Sequence, residues 1–430
     1  MNAIELFCGA GGTSWGAVAA GVDVRLGLDF DPDAVDTFAA NHPHATPGVC
    51  GIENVSGKEL LRKAKLKRLD LLIGGPSCQG YSTIGKRIAD DPRNNLYIHY
   101  LRIVEETKPR WILFENVRGM LATKAGSFYQ HFVADLRGLG YHVVGGIVNA
   151  ADYGVPQRRE RVIVVGSRTC KQLSLPLETH DDPRCEMCSR PDRSHRVRWH
   201  GHGTCPLCEG TGLAVPVGKR ALRPWVSVQD AIGDLPWLSD FGGVEGLVPY
   251  EGPAQSKYQE RMRGRSKGIT LHVAKRPSAY AESFLRHIGQ GQGLRSLSEE
   301  QLPERFKRMR TVKGGSLRKD CTTLYYRLAW TMPAYTITCY FGNVASGAFV
   351  HPEVNRSLTV REAARLQSFP DRFAFSRKNV RRQIGNAVPP FLAERLVRHI
   401  LALDEGQRVQ ATRTARYIDS KPHELQKSLF

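Results

Sequence analysis

The stretch "AIELFCGAGGTSWGAVAAGVDVRLGLDF", residues 3–30, decides how the chain is read. An apolar run, "AIELF", ends in a turn carrying Gly9, Gly11 and Gly12, after which a helix begins. Glycines at that point let the backbone turn tightly and approach a ligand at a helix N-terminus. A second apolar run, "VRLGL", leads into Asp29 and Phe30, about twenty residues beyond the turn. An acidic residue at that spacing binds ribose hydroxyls, and an aromatic beside it stacks on adenine. The pattern points to an adenine nucleoside; spacing alone does not separate NAD from S-adenosylmethionine.

Downstream, apolar runs keep alternating with amphipathic ones. "LDLLIGG", "WILFENV", "YHVVGGIVNA" and "RVIVVGS" read as strands, while "DPDAVDTFAANH" and "NNLYIHYLRIVEE" read as helices. Such alternation predicts a doubly wound α/β sheet. The last link, "ADYGVPQRRE", is too short and too broken by Gly and Pro to be a crossover helix, so the final strand should run antiparallel. From about 171 to 345 the pattern dissolves into Gly-, Pro- and Arg-rich text, expected to form a smaller irregular, mostly β domain. "SLTVREAARLQSFP" then reads as a helix with a Ser/Thr start and a Pro stop, and "QIGNAVPPFLAERLVRHILAL" as a Gly/Asn loop followed by an amphipathic helix. The expected organisation is a catalytic unit over 1–170, a recognition unit over 171–345, C-terminal helices over 346–405 returning to the first unit, and a basic tail over 406–430.

The charge is +19, and its distribution is informative. Residues 1–150 hold 16 Lys/Arg against 15 Asp/Glu, residues 151–350 hold 30 against 19, and residues 351–430 hold 15 against 8. A near-neutral first third joined to basic remaining parts suggests a polyanion docking on the later segments. The N-terminus lacks a signal-peptide pattern, and no apolar run approaches the roughly 18 residues of a membrane span, so a cytoplasmic protein without a membrane partner is expected. Ten cysteines without an export signal favour thiols and metal over disulfides.

Cys78 and Glu115 each follow an apolar strand directly. The carboxyl ends of parallel strands share one edge, where ligands bind. If the last strand is antiparallel its start lies at that same edge, which brings in Arg159 and Arg161. A thiol, a carboxylate and one or two guanidinium groups beside a nucleoside site form a catalytic set. The loop around Cys78, rich in Gly, Pro, Ser and Gln, argues against an inert buried thiol.

At this point the chain resembles the DNA (cytosine-5) methyltransferases. The matching stretches are "IELFCGAGGTSWG", "GGPSCQGYS", "RNNLYIHYLRIV", "FENVRGM", "NAADYGVPQRRERV", "LTVREAARLQSFP" and "QIGNAVP", in family order. The resemblance covers about 1–167 and 355–400 and leaves the middle region where the family keeps its variable target-recognition domain. It implies a Rossmann-like methyltransferase sheet and a microbial enzyme acting as a monomer on double-stranded DNA, with a cognate restriction endonuclease as a further partner. It also implies that Cys78 adds to carbon 6 of a flipped cytosine, that Glu115 holds ring nitrogen 3, and that Arg161, with Arg159, grips the carbonyl at position 2. S-adenosylmethionine is the implied donor: Phe7, Gly9, Gly11 and Gly12 lie around its methionine part, Asp29 at the ribose and Phe30 at the adenine. Leu96 and Asn386 match positions that close the pocket.

Two positions depart from the family pattern. Ser77 stands where a Pro usually precedes the nucleophile, with Pro76 one place earlier, and Gly51 stands where an Asp usually meets the adenine amine, leaving Glu53 as a substitute. A further feature lies outside that pattern. Cys185-x2-Cys188, sixteen residues, then Cys205-x2-Cys208 suits a closed tetrahedral zinc site, a module spanning about 180–212 within the recognition unit. His195, His200 and His202 lie inside its loop and are alternative ligands for one position. "RLAWTMPAYTITCYFGN", Arg327 to Asn343, is balanced between a phosphate-contacting segment and an ordinary β-hairpin. The rival functions are a tRNA methyltransferase on the same scaffold, against which no Cys-Phe-Thr stretch is present, and a non-catalytic DNA-binding protein, against which Cys78, Glu115 and Arg161 are all intact.

Overall fold

The computed structural model describes residues 1–76, 96–121, 126–182, 222–309, 323–407, 409 and 416–417. Seven strands build the central sheet: β1 (Asn2–Leu6), β2 (Asp23–Asp29), β3 (Thr46–Val49), β4 (Leu71–Gly74), β5 (Trp111–Val117), β6 (His142–Asn149) and β7 (Glu160–Ser167). Their spatial order is β6-β7-β5-β4-β1-β2-β3, with β1 to β5 mutually parallel. Strand β7 inserts between β5 and β6 and runs antiparallel to both. The short Gly/Pro link before β7 leaves the chain no room to cross the sheet, so it must turn straight back, as expected.

The strand-like runs of the sequence became strands because they can be buried on both faces. Ile4, Leu6, Leu72, Ile112, Phe114, Val162 and Val164 point to one face. Ala3, Leu71, Ile73, Trp111, Leu113, Ile163 and Val165 point to the other. Helices α3 (Gly57–Lys63), α4 (Leu96–Thr107) and α5 (Gly126–Gly138) cover the first face through Leu60, Tyr100, Ile103, Val104, Phe132 and Leu136. The second is covered by α1 (Gly12–Ala19), α2 (Pro32–Asn41) and the C-terminal helix. That last helix thus returns more than 370 residues along the chain to pack beside α1.

Strand β3 is absent from the apolar runs: "TPGV" is mostly exposed and forms only because its backbone completes the edge beside β2.

Beyond β7 the elements shorten. Helices α6 (Val228–Ile232), α7 (Lys257–Arg263), α8 (Ala279–Leu285) and α9 (Glu304–Lys307) accompany three two-stranded pairs. In chain order these strands are β8 (His180–Asp181), β9 (Arg223–Pro224), β10 (Gly242–Val244), β11 (Val248–Pro249), β12 (Gly268–Ile269) and β13 (His272–Ala274), paired β8 with β9, β10 with β13 and β11 with β12. Helices α10 (Val360–Leu366), α11 (Val380–Asn386) and α12 (Pro390–Asp404) close the chain. Gly385 and Asn386, read from the sequence as a loop, form the last turn of α11. The 327–343 segment does not pair with itself as a hairpin; it bridges Gln157 at Ala334 and Val350 at Arg327. In the tail, Arg416–Tyr417 forms β14, a short eighth strand that extends this sheet antiparallel to β6 and becomes its edge.

Candidate active site

The turn after β1 and the carboxyl ends of β2, β4 and β5 enclose a cleft of about 270 Å³. Phe7, Gly9, Gly12, Asp29, Phe30, Glu115, Arg159, Arg161 and Asn386 all line it. Phe7 adopts φ 58°, a left-handed backbone that a bulky residue holds only where its surroundings force it. Here the forcing element is the turn, in which the Cys8 N–H donates to Leu28 O at 3.0 Å and the Gly11 N–H to Cys8 O at 2.8 Å.

Asp29 is fixed by backbone donors. The Gly9 N–H donates to its Oδ2 at 2.8 Å and the Asp31 N–H to its Oδ1 at 3.0 Å. Each oxygen keeps a lone pair for a further donor, which is the requirement for binding a pair of ribose hydroxyls. Burial pushes the Asp29 carboxyl above its ordinary value. Phe30, next along, presents its ring at the cleft mouth, 59% exposed.

Glu115 and Arg161 meet across neighbouring strands. Arg161 Nε lies 2.9 Å from Glu115 Oε1, and both side chains are largely buried. Gly75, where the chain leaves β4, runs directly beside this pair: a Cβ at that position would lie 3.3 Å from Glu115 Oε2. Arg159 is 1% exposed, and its two terminal nitrogens donate to backbone carbonyls, at 2.9 Å to Ile337 O, 2.9 Å to Gly385 O and 3.0 Å to Ala387 O. Burial and the nearby Arg161 charge push its guanidinium below the usual arginine range.

Other expected site residues stand elsewhere. Gly11 faces away from the cleft, with φ 86°, and any side chain there would strike the His42 ring. Leu96 opens α4 and packs into the apolar layer under the sheet instead of lining the cleft. Gly51 begins a short 3-10 turn over which the Glu53 carboxylate folds back, and neither lines the cleft. Cys78, Cys185, Cys188, Cys205 and Cys208 lie outside the described residues, as do His195, His200 and His202. Among the described residues no group of three or more His, Cys, Asp or Glu is placed to hold a metal.

Three contributors escaped sequence reasoning. Glu5, 3% exposed in the cleft floor, accepts the Ser14 N–H at 3.0 Å and the Ser14 hydroxyl, tying the start of α1 to β1. Burial raises its carboxyl from 4.5 to about 7. A carboxylate within an otherwise apolar strand was the available signal. Asn116, 2% exposed, donates from Nδ2 to Pro76 O at 3.1 Å and so fixes the chain two residues before Cys78. Gln157, fully buried, accepts the Ile337 N–H at 2.8 Å and donates to Leu366 O at 3.2 Å, joining the β7 approach to two distant segments.

Comparison with known proteins agrees with this geometry. The C-5 cytosine-specific DNA methylase model matches residues 1–198 and 253–402. The chain is 32% identical over 451 residues to the Type II methyltransferase M.AgeI of Thalassovita gelatinovora, covering 93% of this chain and 99% of that protein. It is 31% identical over 414 residues to the Type II methyltransferase M.DdeI of Desulfomicrobium norvegicum, covering 93% and 88%. Among solved structures, a candidate DNA modification methyltransferase encoded within an E. coli prophage superimposes with a TM-score of 0.61 at 27% identity, covering 94% of this chain and 99% of that one. The antiparallel β7 inserted between the parallel strand β5 and β6, with the cleft at the carboxyl edge, is a Rossmann-like methyltransferase fold. The chain belongs to the C-5 cytosine-specific DNA methylase family and is a DNA (cytosine-5)-methyltransferase.

Proposed function

We propose that the chain transfers a methyl group from S-adenosylmethionine to carbon 5 of a flipped-out cytosine in duplex DNA, at a short specific sequence, in a microbial restriction-modification setting. The observation that carries this reading is the Glu115–Arg161 pair, at 2.9 Å, standing in the same cleft as Asp29, Phe30 and Pro76. A carboxylate and a guanidinium side by side match the edge of a cytosine, with a ring nitrogen for one and a carbonyl oxygen for the other. Pro76, two residues before Cys78 in the sequence, lines that same cleft.

The donor would be held by the turn at Phe7, Gly9 and Gly12 around its methionine part, by Asp29 at the ribose and by Phe30 at the adenine. It supplies an electrophilic methyl group. The remaining steps belong to this chain's own residues and the cytosine. The Cys78 thiolate adds to carbon 6, and the electron pair of the 5,6 double bond moves toward carbon 5. Glu115 holds or protonates ring nitrogen 3, and Arg161 steadies the carbonyl oxygen, so charge gathers against fixed partners. Carbon 5 takes the methyl group as the methyl–sulfur bond of the donor breaks, its electron pair staying on sulfur; carbon 5 then loses its proton to a base, and the returning electron pair expels Cys78. Arg159 works at one remove: its bonds to Gly385 O and Ala387 O hold the turn that carries Asn386 into the cleft. A target inside a stacked duplex cannot reach these groups, so the base must leave the stack.

The paired cysteines 185/188 and 205/208 support a structural zinc in the recognition region by their spacing alone. Metal analysis of protein purified without chelator should then give about one zinc per chain. For the main reading, labelled S-adenosylmethionine is offered with mixed-sequence duplex DNA and, in parallel, total tRNA, with Cys78→Ala as control. Label entering DNA only when Cys78 is present supports it. Label entering tRNA moves the substrate to the rival branch, and an active Cys78→Ala protein removes the covalent step.

A further inference from the structure

Helix α11 brings a second side chain to the cleft mouth. Arg382 lines the cleft beside Phe30, with its guanidinium carbon 5.9 Å from the Phe30 ring centroid. Its Nη1 lies 3.8 Å from Asp31 Oδ2, and 45% of its side chain is exposed. This position is built rather than incidental. Thr37 Oγ1 donates to Gln383 Oε1 at 2.7 Å, Asn379 Nδ2 to Asp33 Oδ2 at 2.7 Å, and Gln383 Nε2 to Asp33 O at 3.3 Å. The residues on either side of Arg382 are therefore pinned to α2, the helix that begins just after Phe30, and Arg382 has to stand over that ring.

An exposed phenyl ring under a half-exposed guanidinium contributes little to folding, since neither group is taken out of water. The same pair is well suited to a flat ligand. Guanidinium and aromatic planes both stack on π systems. A planar ring needs about 3.5 Å on each side, so a sandwich requires roughly 7 Å between the outer layers. The observed 5.9 Å would have to open by about 1 Å, a small movement for a half-exposed arginine held through Asp31 at 3.8 Å. Asp29, directly before Phe30, puts a ribose within one nucleoside length of this slot.

We infer that Arg382 is a cofactor-contact residue that forms the outer wall of the adenine site, with Phe30 as its inner wall and Asp31 holding the guanidinium in place. This rests on the reading that an adenine nucleoside occupies the cleft. Calorimetric titration of the full chain with S-adenosylhomocysteine and, separately, adenosine tests it. Arg382→Ala should weaken both ligands by a similar factor, roughly threefold to thirtyfold. Arg382→Lys keeps the charge near Asp31 but lacks the plane, and should recover only part of that loss. Unchanged affinity in Arg382→Ala overturns the assignment, as does a loss confined to S-adenosylhomocysteine, which would put the guanidinium on the amino-acid carboxylate. A wild-type chain that binds neither ligand overturns the nucleoside reading and this assignment together.

Discussion

The central sheet and the segment from Val228 to Asp371 are held together by different physics. The sheet is sealed by apolar side chains alternating between its two faces, with Trp111, Phe114 and Val164 among those fully buried. The second region also has an apolar cluster, from Val228 to Ile384, but it encloses charges as well. Arg356 grips Glu362 through two bonds of 2.8 Å. Arg365, fully buried, meets Asp371 at 2.8 and 2.7 Å, Ala231 O at 3.0 Å, and Asp234. Arg327 donates to the carbonyls of Ile288, Leu285, His351 and Val354. A region with few regular elements has many backbone carbonyls without ladder partners, and buried arginines satisfy them.

Two buried glutamates make the contrast quantitative. Glu5, under the sheet's cleft, has no cation beside it among the described residues, and desolvation lifts it to about 7. Glu362 is equally buried; burial alone would lift it too, but Arg356 and the neighbouring His351 and His272 hold it well below the usual carboxylate range. The same side chain is thus pushed in opposite directions by the presence or absence of a partner.

The largest effect that can break this comparison is chemical. Cys78→Ala should lower methyl transfer by more than about a thousandfold while leaving cofactor binding near normal, because it removes the proposed nucleophile and none of the residues proposed to hold the donor. A variant that keeps its activity contradicts the division of labour. Next comes Arg365→Ala, which takes the nearest cation from Asp371, leaving it Arg361 at 3.9 Å, and leaves Asp234 to Arg263; it should cost about 3–5 kcal/mol in denaturant unfolding. A loss below about 1 kcal/mol would show that the polar core is incidental.

Glu5→Gln sharpens the comparison through pH. A carboxyl raised from 4.5 to about 7 destabilises the fold progressively as pH rises through that window, with the full cost present above it. The substituted protein should be more stable than wild type at pH 8 by up to about 3 kcal/mol, and the difference should vanish near pH 4.5. Glu362 obeys the opposite sign: its stabilisation is present above the ordinary glutamate range and is lost only in acid below that range. The smallest effect is expected at Asn116→Ala, which frees Pro76 O and should lower kcat by roughly tenfold with the donor's Kd unchanged. A change in Kd with kcat intact would mean that Asn116 serves the cleft and not the nucleophile's approach.

Much of the sheet was legible because its signals are local. "LDLLIGG" and "WILF" can only be buried strands, and a ten-residue link rich in Gly and Pro cannot be a crossover helix. Asp29, Phe30 and Glu115 were found because each directly follows an apolar run, and the strands those runs form end at one edge. Glu5 and Asn116 were harder: their roles depend on Ser14 and Pro76, met only when the sheet assembles. "VREAARL" reads as a helix, but nothing local says that Arg361, Glu362 and Arg365 are all buried. Periodicity places a residue on a helix face but says nothing about what covers that face.

The order of the six apolar strands in the first 170 residues, the antiparallel last strand and the residue types gathered at the cleft edge were therefore determined by the sequence itself. They follow from patterns of two to four residues and from the short reach of a connecting loop. The tertiary structure alone decided that Arg159 faces backbone carbonyls while Arg161 faces Glu115, that Leu96 and Gly11 turn away from the cleft, and that Arg382 stands over Phe30. Each of these depends on partners up to more than 300 positions apart, and which of two identical side chains meets a given partner is set by packing, to which local pattern is blind.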